Sequence, residues 1–384
     1  MTLSRRTLVL SACGALGLVA AGGAWRVTRL PQTATRPWTL DPNRPADVRL
    51  DAFRHAILAP NPHNRQPWEI RLVGQDEAII TCDLERRLPQ TDPFDRQILI
   101  GFGGFFELAR MAAAQRGVRM SVMPFPDGEP GERLDKRPIA RLKFMAEAGV
   151  AKDPFFASVL ARRTAKIPYD LARPVSASDS AALVALSTPG LSITASSKPD
   201  DVPALRDLIW RAWDIEAYTT RTWKESMDLL RVGAAEIDAN PDCIAVKGPL
   251  FEALSLMGTD AVRAQALDPA STAFKSTRER YRVMFASTPA FVWLTTDGNS
   301  RLEHLETGKA WLRTNLLATQ LGLSVQPISQ AVQEYPEMKP EFDTVHRLVG
   351  AKAGQRVQML ARLGYASPVE PTPRWPLAAK LKTG

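Results

Sequence analysis

The sequence predicts an α+β fold with an internal repeat, a long central helix flanked by short strands in each of two halves. Three observations lead there. Short strand-like segments flank a long apolar helix twice along the chain. The two helices match position by position, Gly103 to Val118 against Gly308 to Leu323: each has a glycine, an apolar helical face, alanines, and a second glycine opening an apolar strand. No low-complexity tract interrupts the 384 residues, which suffice for two such units with a shared core.

The elements follow in order. Residues 26–46, rich in Pro, Arg and Thr, read as a linker. The first half is placed at 47–148. Asp47 to Ala59 has helical character and stops at Pro60-Asn61-Pro62. Trp68 to Val73 and Glu77 to Asp83 alternate as paired strands, Ile98 to Arg116 is an apolar helix closed by Gly117, and Val118 to Met123 and Ile139 to Phe144 are strands around a turn-rich stretch. The second half is placed at 149–384. Asp153 to Arg163 and Ser178 to Leu186 read as helices and Leu191 to Ser196 as a strand. A Trp-bearing, mostly helical insertion occupies about 203–286 and is expected to act as a lid. Ala290 to Thr295 is a strand, Arg301 to Leu321 a helix closed by Gly322, and Leu323 to Ile328 extended, with Phe342 to Leu348 and Ala353 to Leu360 completing the fold. On the first central helix, Phe102, Phe105, Phe106, Ala109, Ala112 and Ala113 make one face. Thr307, Ala310, Trp311, Thr314, Leu317 and Ala318 make the matching one. The small residues Ala112, Ala113 and Ala318 are the expected points of close helix approach.

Charge narrows the function classes. Of the net charge of +8, five positive charges come from the first 36 residues, which hold no acid. The basic balance therefore gives weak support for nucleic acid, and no recognition motif adds to it. Cys13, Cys82 and Cys243 have no metal-type spacing, the four histidines form no ligand pattern, and no GxSxG marks a hydrolase. Whether Cys82 and Cys243 pair is left open. Arg5-Arg6 immediately precedes the apolar, small-residue run Leu8 to Trp25. Residues 1–25 resemble a twin-arginine export signal, with a cut after Ala24; the other reading is an uncleaved anchor facing the periplasm. The expected partners in export are the twin-arginine translocase and, for an uncleaved segment alone, the membrane.

Four segments carry a more specific signal. Ala59-Pro60-Asn61-Pro62-His63-Asn64-Arg65-Gln66-Pro67-Trp68 resembles the APSxxNxQPW loop of the FMN-dependent nitroreductase superfamily, and Arg162-Arg163-Thr164-Ala165-Lys166 its RRSxR opening. Gly308 to Leu323 resembles its central helix and Pro373-Arg374-Trp375-Pro376-Leu377 its C-terminal tail. Together they span the chain from about residue 50 to its end. In that family one subunit supplies the arginines and tail to each FMN and its partner supplies the loop. Here the loop lies in the first half and the arginine pair in the second, and Ser187-Thr188-Pro189-Gly190-Leu191 stands where a second loop belongs. That order resembles the fused, mycobacterial Acg-type subgroup, with one composite site kept and one lost.

The resemblance implies a nitroreductase-like fold and FMN as cofactor. It also implies that the two diverged halves are fused as an internal pseudo-dimer, with central helices packed against mixed or antiparallel sheets. It places Arg162, Arg163, Thr164 and Lys166 at the phosphate and pyrimidine edge and Arg374 in the phosphate clamp. Pro60, Asn61, Asn64 and Gln66 shape the loop under the ring, and Pro327, Ile328 and Ser329 face it near N5. Guanidinium forks suit a phosphate dianion because they donate paired, charge-assisted hydrogen bonds. No catalytic side chain is implied, since a flavin carries the electron chemistry itself. Thr164 for Ser keeps a hydroxyl, Lys166 replaces the second Arg, and Pro62 removes a backbone donor. Read without the resemblance, Arg162-Arg163 is also consistent with a pair at a helix end and Trp68 with plain core. Two functions remain open: an exported oxidoreductase passing electrons from a small-molecule donor to a small acceptor, and a protein that binds and sequesters FMN. One fused chain completes the site as a monomer.

Overall fold

The structure is a computed structural model and describes residues 29–382 except Cys243. The export segment, its cleavage position, Cys13 and Cys243 lie outside the described residues.

The first half begins with α1 (Val48–Ala56), whose N-cap Asp47 accepts from Arg49 N. Then come β1 (Trp68–Val73), β2 (Glu77–Cys82), α2 (Arg96–Ala114), β3 (Val118–Pro124) and β4 (Ala140–Ala146). The second half runs α3 (Ala177–Val184), β5 (Leu191–Ser196), an insertion, then β8 (Ala290–Thr296), α10 (Arg301–Gln320), β9 (Ser324–Pro327), α11 (Lys339–Leu348) and β10 (Arg356–Gly364). The insertion holds α4 (Asp201–Tyr218), α5 (Thr220–Asp228), β6 (Leu230–Val232), α6 (Ala234–Ala239), β7 (Ile244–Val246), α7 (Pro249–Leu254), α8 (Thr259–Leu267) and α9 (Thr272–Ala286). The two main sheets share one topology. Their orders are β1-β2-β4-β3 and β5-β8-β10-β9, every pair is antiparallel, and the central helix joins the second strand to the third in each. Among the strands of the described residues, the one parallel pair is β6 with β7, inside the insertion.

The central helices α2 and α10 cross at two glycines. A Cβ on Gly103 would stand 1.9 Å from the Leu305 carbonyl oxygen, and one on Gly308 would stand 1.9 Å from that of Ile100. The contact is reciprocal, since each glycine faces the carbonyl three residues before the other. Only a residue without a side chain lets two backbones approach this closely. The tightest approach thus lies at Gly103 and Gly308; Ala112, Ala113 and Ala318, the small residues expected to let the helices pack closely, are buried. The one-face reading of the first helix is corrected: α2 is buried on every side except at Arg110. Around it Phe53, Trp68 and Phe105 stack, with Trp68 and Phe105 centroids 4.9 Å apart, so Trp68 is core.

Three further expectations change. Asp153 to Arg163 is not a helix; a 3-10 turn at Pro154–Ser158 gives way to irregular chain. The insertion contains a small sheet as well as helices. Residues 29–46 are not a free linker, because a 3-10 turn at Arg36–Trp38 buries Trp38. Past β10 the chain returns to the first half, where Lys382 N donates to Ile70 O at 2.8 Å and Leu381 lies parallel beside Ile70. The tail thereby carries residues 366–377 past the 59–66 loop. No described helix is long and apolar enough to cross a membrane.

Candidate functional site

The loop that resembles APSxxNxQPW packs on the crossing of the central helices. Asn61 Cβ would lie 3.1 Å from a Cβ on Gly101, and Pro60 Cδ 3.9 Å from one on Gly104. The loop bends through left-handed backbone at His63 (φ 46°), Asn64 (φ 57°) and Gln66 (φ 49°). Such residues cost roughly 1–3 kcal/mol each and persist only where their surroundings hold them. Asn61 Oδ1 accepts from Gln66 N at 2.7 Å. Asn64 Nδ2 donates to Pro241 O and Pro373 O, both at 2.9 Å, and its Oδ1 accepts from Arg374 Nη1 at 2.6 Å. Gln66 Nε2 donates to Pro241 O at 2.8 Å and its Oε1 accepts from Trp375 N at 2.9 Å. Lys380 Nζ, buried, donates to Gln66 O at 2.6 Å; burial and the Arg86 charge hold its pKa down to about 7. These amides join the loop to the tail and to the insertion.

Arg374 caps α1 from outside. Its guanidinium donates to Ile57 O at 3.0 Å and to Leu58 O and Ala59 O at 3.2 Å, the carbonyls at the helix end. Arg162 Nη2 donates to the same Leu58 O at 3.1 Å. Of the Arg162-Arg163 pair read as a solvated pair at a helix end, Arg162 alone reaches one, the negative end of α1, and it is buried rather than solvated. Arg162 differs from Arg374 in what it leaves over. It is buried (3 % exposed), its Nη1 has no partner, and among the described residues no carboxylate pairs with it. Burial, aided by the Arg163 charge, holds its pKa down to about 10. Arg163 is half-buried and donates to Leu160 O and Arg162 O; Thr164 is half-buried and Lys166 exposed.

Trp38 binds this cluster together. The guanidinium carbons of Arg162, Arg163 and Arg374 lie 5.5, 4.9 and 5.3 Å from its ring, and its Nε1 donates to Thr372 O at 2.7 Å. Just upstream, Ala34 N donates to Asp238 and Ala34 O accepts from Arg374 N. No periodicity near residue 38 marks this role; its signal is a lone Trp in a polar stretch. His63 adds a second unpartnered atom. Its Nδ1 is buried without a partner, and burial, then the charges of Lys166 and Arg65, push its pKa down to about 3.

The insertion closes over the loop. Asp242 forms ion pairs with Arg65, at 2.8 Å, and Arg86. From α5, Glu225 accepts from Gln90 N at 2.8 Å, Thr91 N at 3.0 Å and Thr91 Oγ1 at 2.6 Å. On α4, Glu216 is a buried acid that the sequence did not single out. Burial, aided by the Glu225 charge, pushes its pKa up to about 7, against the neighbouring Gln333, Gln330 and Ser226 side chains. It thus meets the segment just past Pro327, Ile328 and Ser329. Within that segment Ile328 is buried in the core of the insertion, and Pro327 and Ser329 are half-buried. Arg362 links this segment to the arginine motif, donating to Gln326 Oε1 at 2.6 Å and to Ile167 O at 3.3 Å. The structure thus brings the loop, the arginine pair and the tail into one cluster. Residues 327–329 connect to it through Arg362. No group of metal-ligating side chains occurs among the described residues.

No family profile matches the chain. It is 25% identical over 363 residues to a putative NAD(P)H nitroreductase, acg, of Mycobacterium tuberculosis, spanning 86% of this chain and 94% of that protein. A second putative NAD(P)H nitroreductase of the same bacterium is 27% identical over 329 residues, 83% of this chain and 86% of the relative. By sequence the chain is thus similar to two proteins named as putative NAD(P)H nitroreductases over most of its length. Among solved structures it is similar to a nitroreductase-like family protein from Bacillus cereus (15% identity, 62% of this chain, 98% of that chain, TM-score 0.33). It is also similar to an FMN-dependent nitroreductase from Mycobacterium smegmatis (16%, 58%, 95%, TM-score 0.35).

Proposed function

We propose that the protein is an FMN-dependent oxidoreductase of the nitroreductase type, with one FMN held between the two halves of a fused pseudo-dimer. The observation that carries this is Arg162, a buried guanidinium with an unpartnered Nη1 and no carboxylate beside it. A buried cation is costly unless an anion meets it. A phosphate satisfies that requirement, and the donor set fits one: Arg162, Arg163, the Thr164 hydroxyl and Lys166 lie within five residues, at the seam between loop and tail. Bound there, FMN supplies hydride and electron transfer. Arg374, Asn64, Asn61 and Gln66, committed to protein groups, hold the loop in its left-handed turn beside the ring. Pro60 fixes the loop against α2. By the resemblance Pro327, Ile328 and Ser329 would lie beside the ring, and the insertion fastened over the loop would limit the access of water to it.

The curated relatives are named for NAD(P)H, which makes it the first donor to test. The Arg5-Arg6 signal favours export by the twin-arginine route, where NAD(P)H is scarce and another small donor takes its place. A second reading, FMN sequestration, is favoured by the way Glu225 and Asp242 fasten the insertion onto the first half. Anaerobic mixing of the flavin-loaded protein with NADPH, NADH and dithionite separates the two. Bleaching by a nicotinamide faster than the flavin dissociates supports catalysis. Bleaching by dithionite alone, with flavin retained, supports sequestration. A protein that binds no FMN ends both readings.

A further inference from the structure

A cleft of about 410 Å³ whose lining shares no residue with the arginine cluster opens at the N-terminal ends of α2 and α10. Arg96, Arg301, Arg356, His304, Glu129 and Glu334 line it. It straddles the seam of the halves. Arg96 and Arg301 are the first residues of the two matched helices, and Arg96 precedes Glu129 by as many residues as Arg301 precedes Glu334. The pairs also cross over. Arg96 Nε donates to Glu334 Oε2 at 3.0 Å, and Arg301 N donates to Glu129 Oε1 at 3.3 Å. Up to this point the feature is a clasp between halves.

The second half adds what a clasp does not need. His304 stands where the first half has Leu99, and Arg356 reaches the same cleft from the start of β10. Arg96 is spent on Glu334, Gln358 and Val332 O. Arg301 is spent on the carbonyls of Phe94, Gly131 and Glu132. Arg356 is only partly spent: it makes no hydrogen bond to a carboxylate, its ion pair with Glu334 Oε1 is long at 3.6 Å and shared with Arg96, and its guanidinium lies 4.7 Å from the Phe342 ring. The lining thus brings three guanidiniums to the floor against the one carboxylate of Glu334, while Asp92 and Glu303 cap the N-terminal ends of α2 and α10 beside it. Burial, then the charges of Arg96, Arg301 and Arg356, keep His304 neutral, its pKa held down to about 3. Glu129 and Glu132, the other acids here, stand on the exposed rim.

We propose that this cleft binds a small carboxylate or phosphate anion, with Arg356 as the residue that recognises it and Arg301 supplying the field. The site is independent of the flavin cluster and does not rest on the reading of that cluster. The test is calorimetric titration of the full chain with citrate and, separately, with inorganic phosphate in low-salt buffer, alongside an NMR pH titration of the His304 ring. Titrated in the Arg162→Met background, which removes the phosphate-seeking guanidinium of the flavin cluster, one saturating equivalent per chain is expected for at least one probe, weakened at least about ten-fold when Arg356→Gln is added. Which probe saturates distinguishes a carboxylate from a phosphate ligand. The bound anion also raises the His304 pKa, a readout in the unmutated protein that stands even if Arg356→Gln misfolds. Failure of both probes to saturate by about 10 mM, or binding unaltered in folded Arg356→Gln, overturns the proposal.

Discussion

Arg162 is the residue on which the functional account turns, because its burial has a cost in the empty protein and a use in the loaded one. Arg162→Met keeps the volume and removes the uncompensated charge. The expected outcome is a thermal midpoint equal to or above that of the unmutated protein without flavin, and FMN affinity reduced by at least about ten-fold. Melting curves with and without FMN check both halves of that expectation; equal flavin affinity in the variant removes Arg162 from the site. Lys380 makes a separate prediction at the same scale. Its folded pKa of about 7 lies below the ordinary 10.5 of lysine, so between those values the unfolded chain binds more protons than the folded one. Stability therefore rises with pH from about 7 towards 10.5, and below 7 the burden of a buried ammonium is felt in full. Urea titrations at pH 6.5 and 9 should show this rise, and Lys380→Met should flatten it. These residues differ in how legible they were. The arginine pair stood out as a motif, whereas nothing local marks Trp38, whose burial depends on a tail more than three hundred positions away.

Among elements, the crossing of α2 and α10 is the feature most sensitive to a single atom. Gly103→Ala forces a methyl to 1.9 Å from a backbone carbonyl, so the helices must part. A loss of about 3 kcal/mol or more is expected, against little change for Gly131→Ala, where a Cβ meets nothing within 4 Å. Denaturant midpoints of the two variants test this directly; equal stability contradicts the crossing. The repeat in the sequence aligned Gly103 with Gly308, yet nothing in it marked them, rather than the alanines, as the tightest point. Periodicity gives a face but not the depth at which two faces meet. The short strands β6 and β7 were missed for a related reason: three residues are too few to show alternation. At 153–163 an apolar spacing suggested a helix, but Pro154 and the need to deliver Arg162 to the end of α1 yield a turn and extended chain instead. The insertion's clasp is equally specific. Glu225→Ala removes three hydrogen bonds to residues 90–91, and amide exchange there should quicken while exchange in α2 stays slow.

For the whole molecule, two sheets of identical strand order and a reciprocal helix crossing place one loop, one arginine pair and one tail at a single seam. The chain that leaves the second sheet returns to the edge of the first, so each half is closed by the other. That architecture followed from the order of motifs, with the loop in one half and the arginines in the other. The closing tail and the docked segment around Trp38 did not, because their contacts lie far apart in sequence. The central claim is one composite FMN site per chain. It is tested most directly by counting FMN bound per chain, from the visible spectrum and the flavin released on denaturation, after saturation and gel filtration. The account predicts one FMN per monomeric chain. No bound FMN, or two per chain, contradicts it.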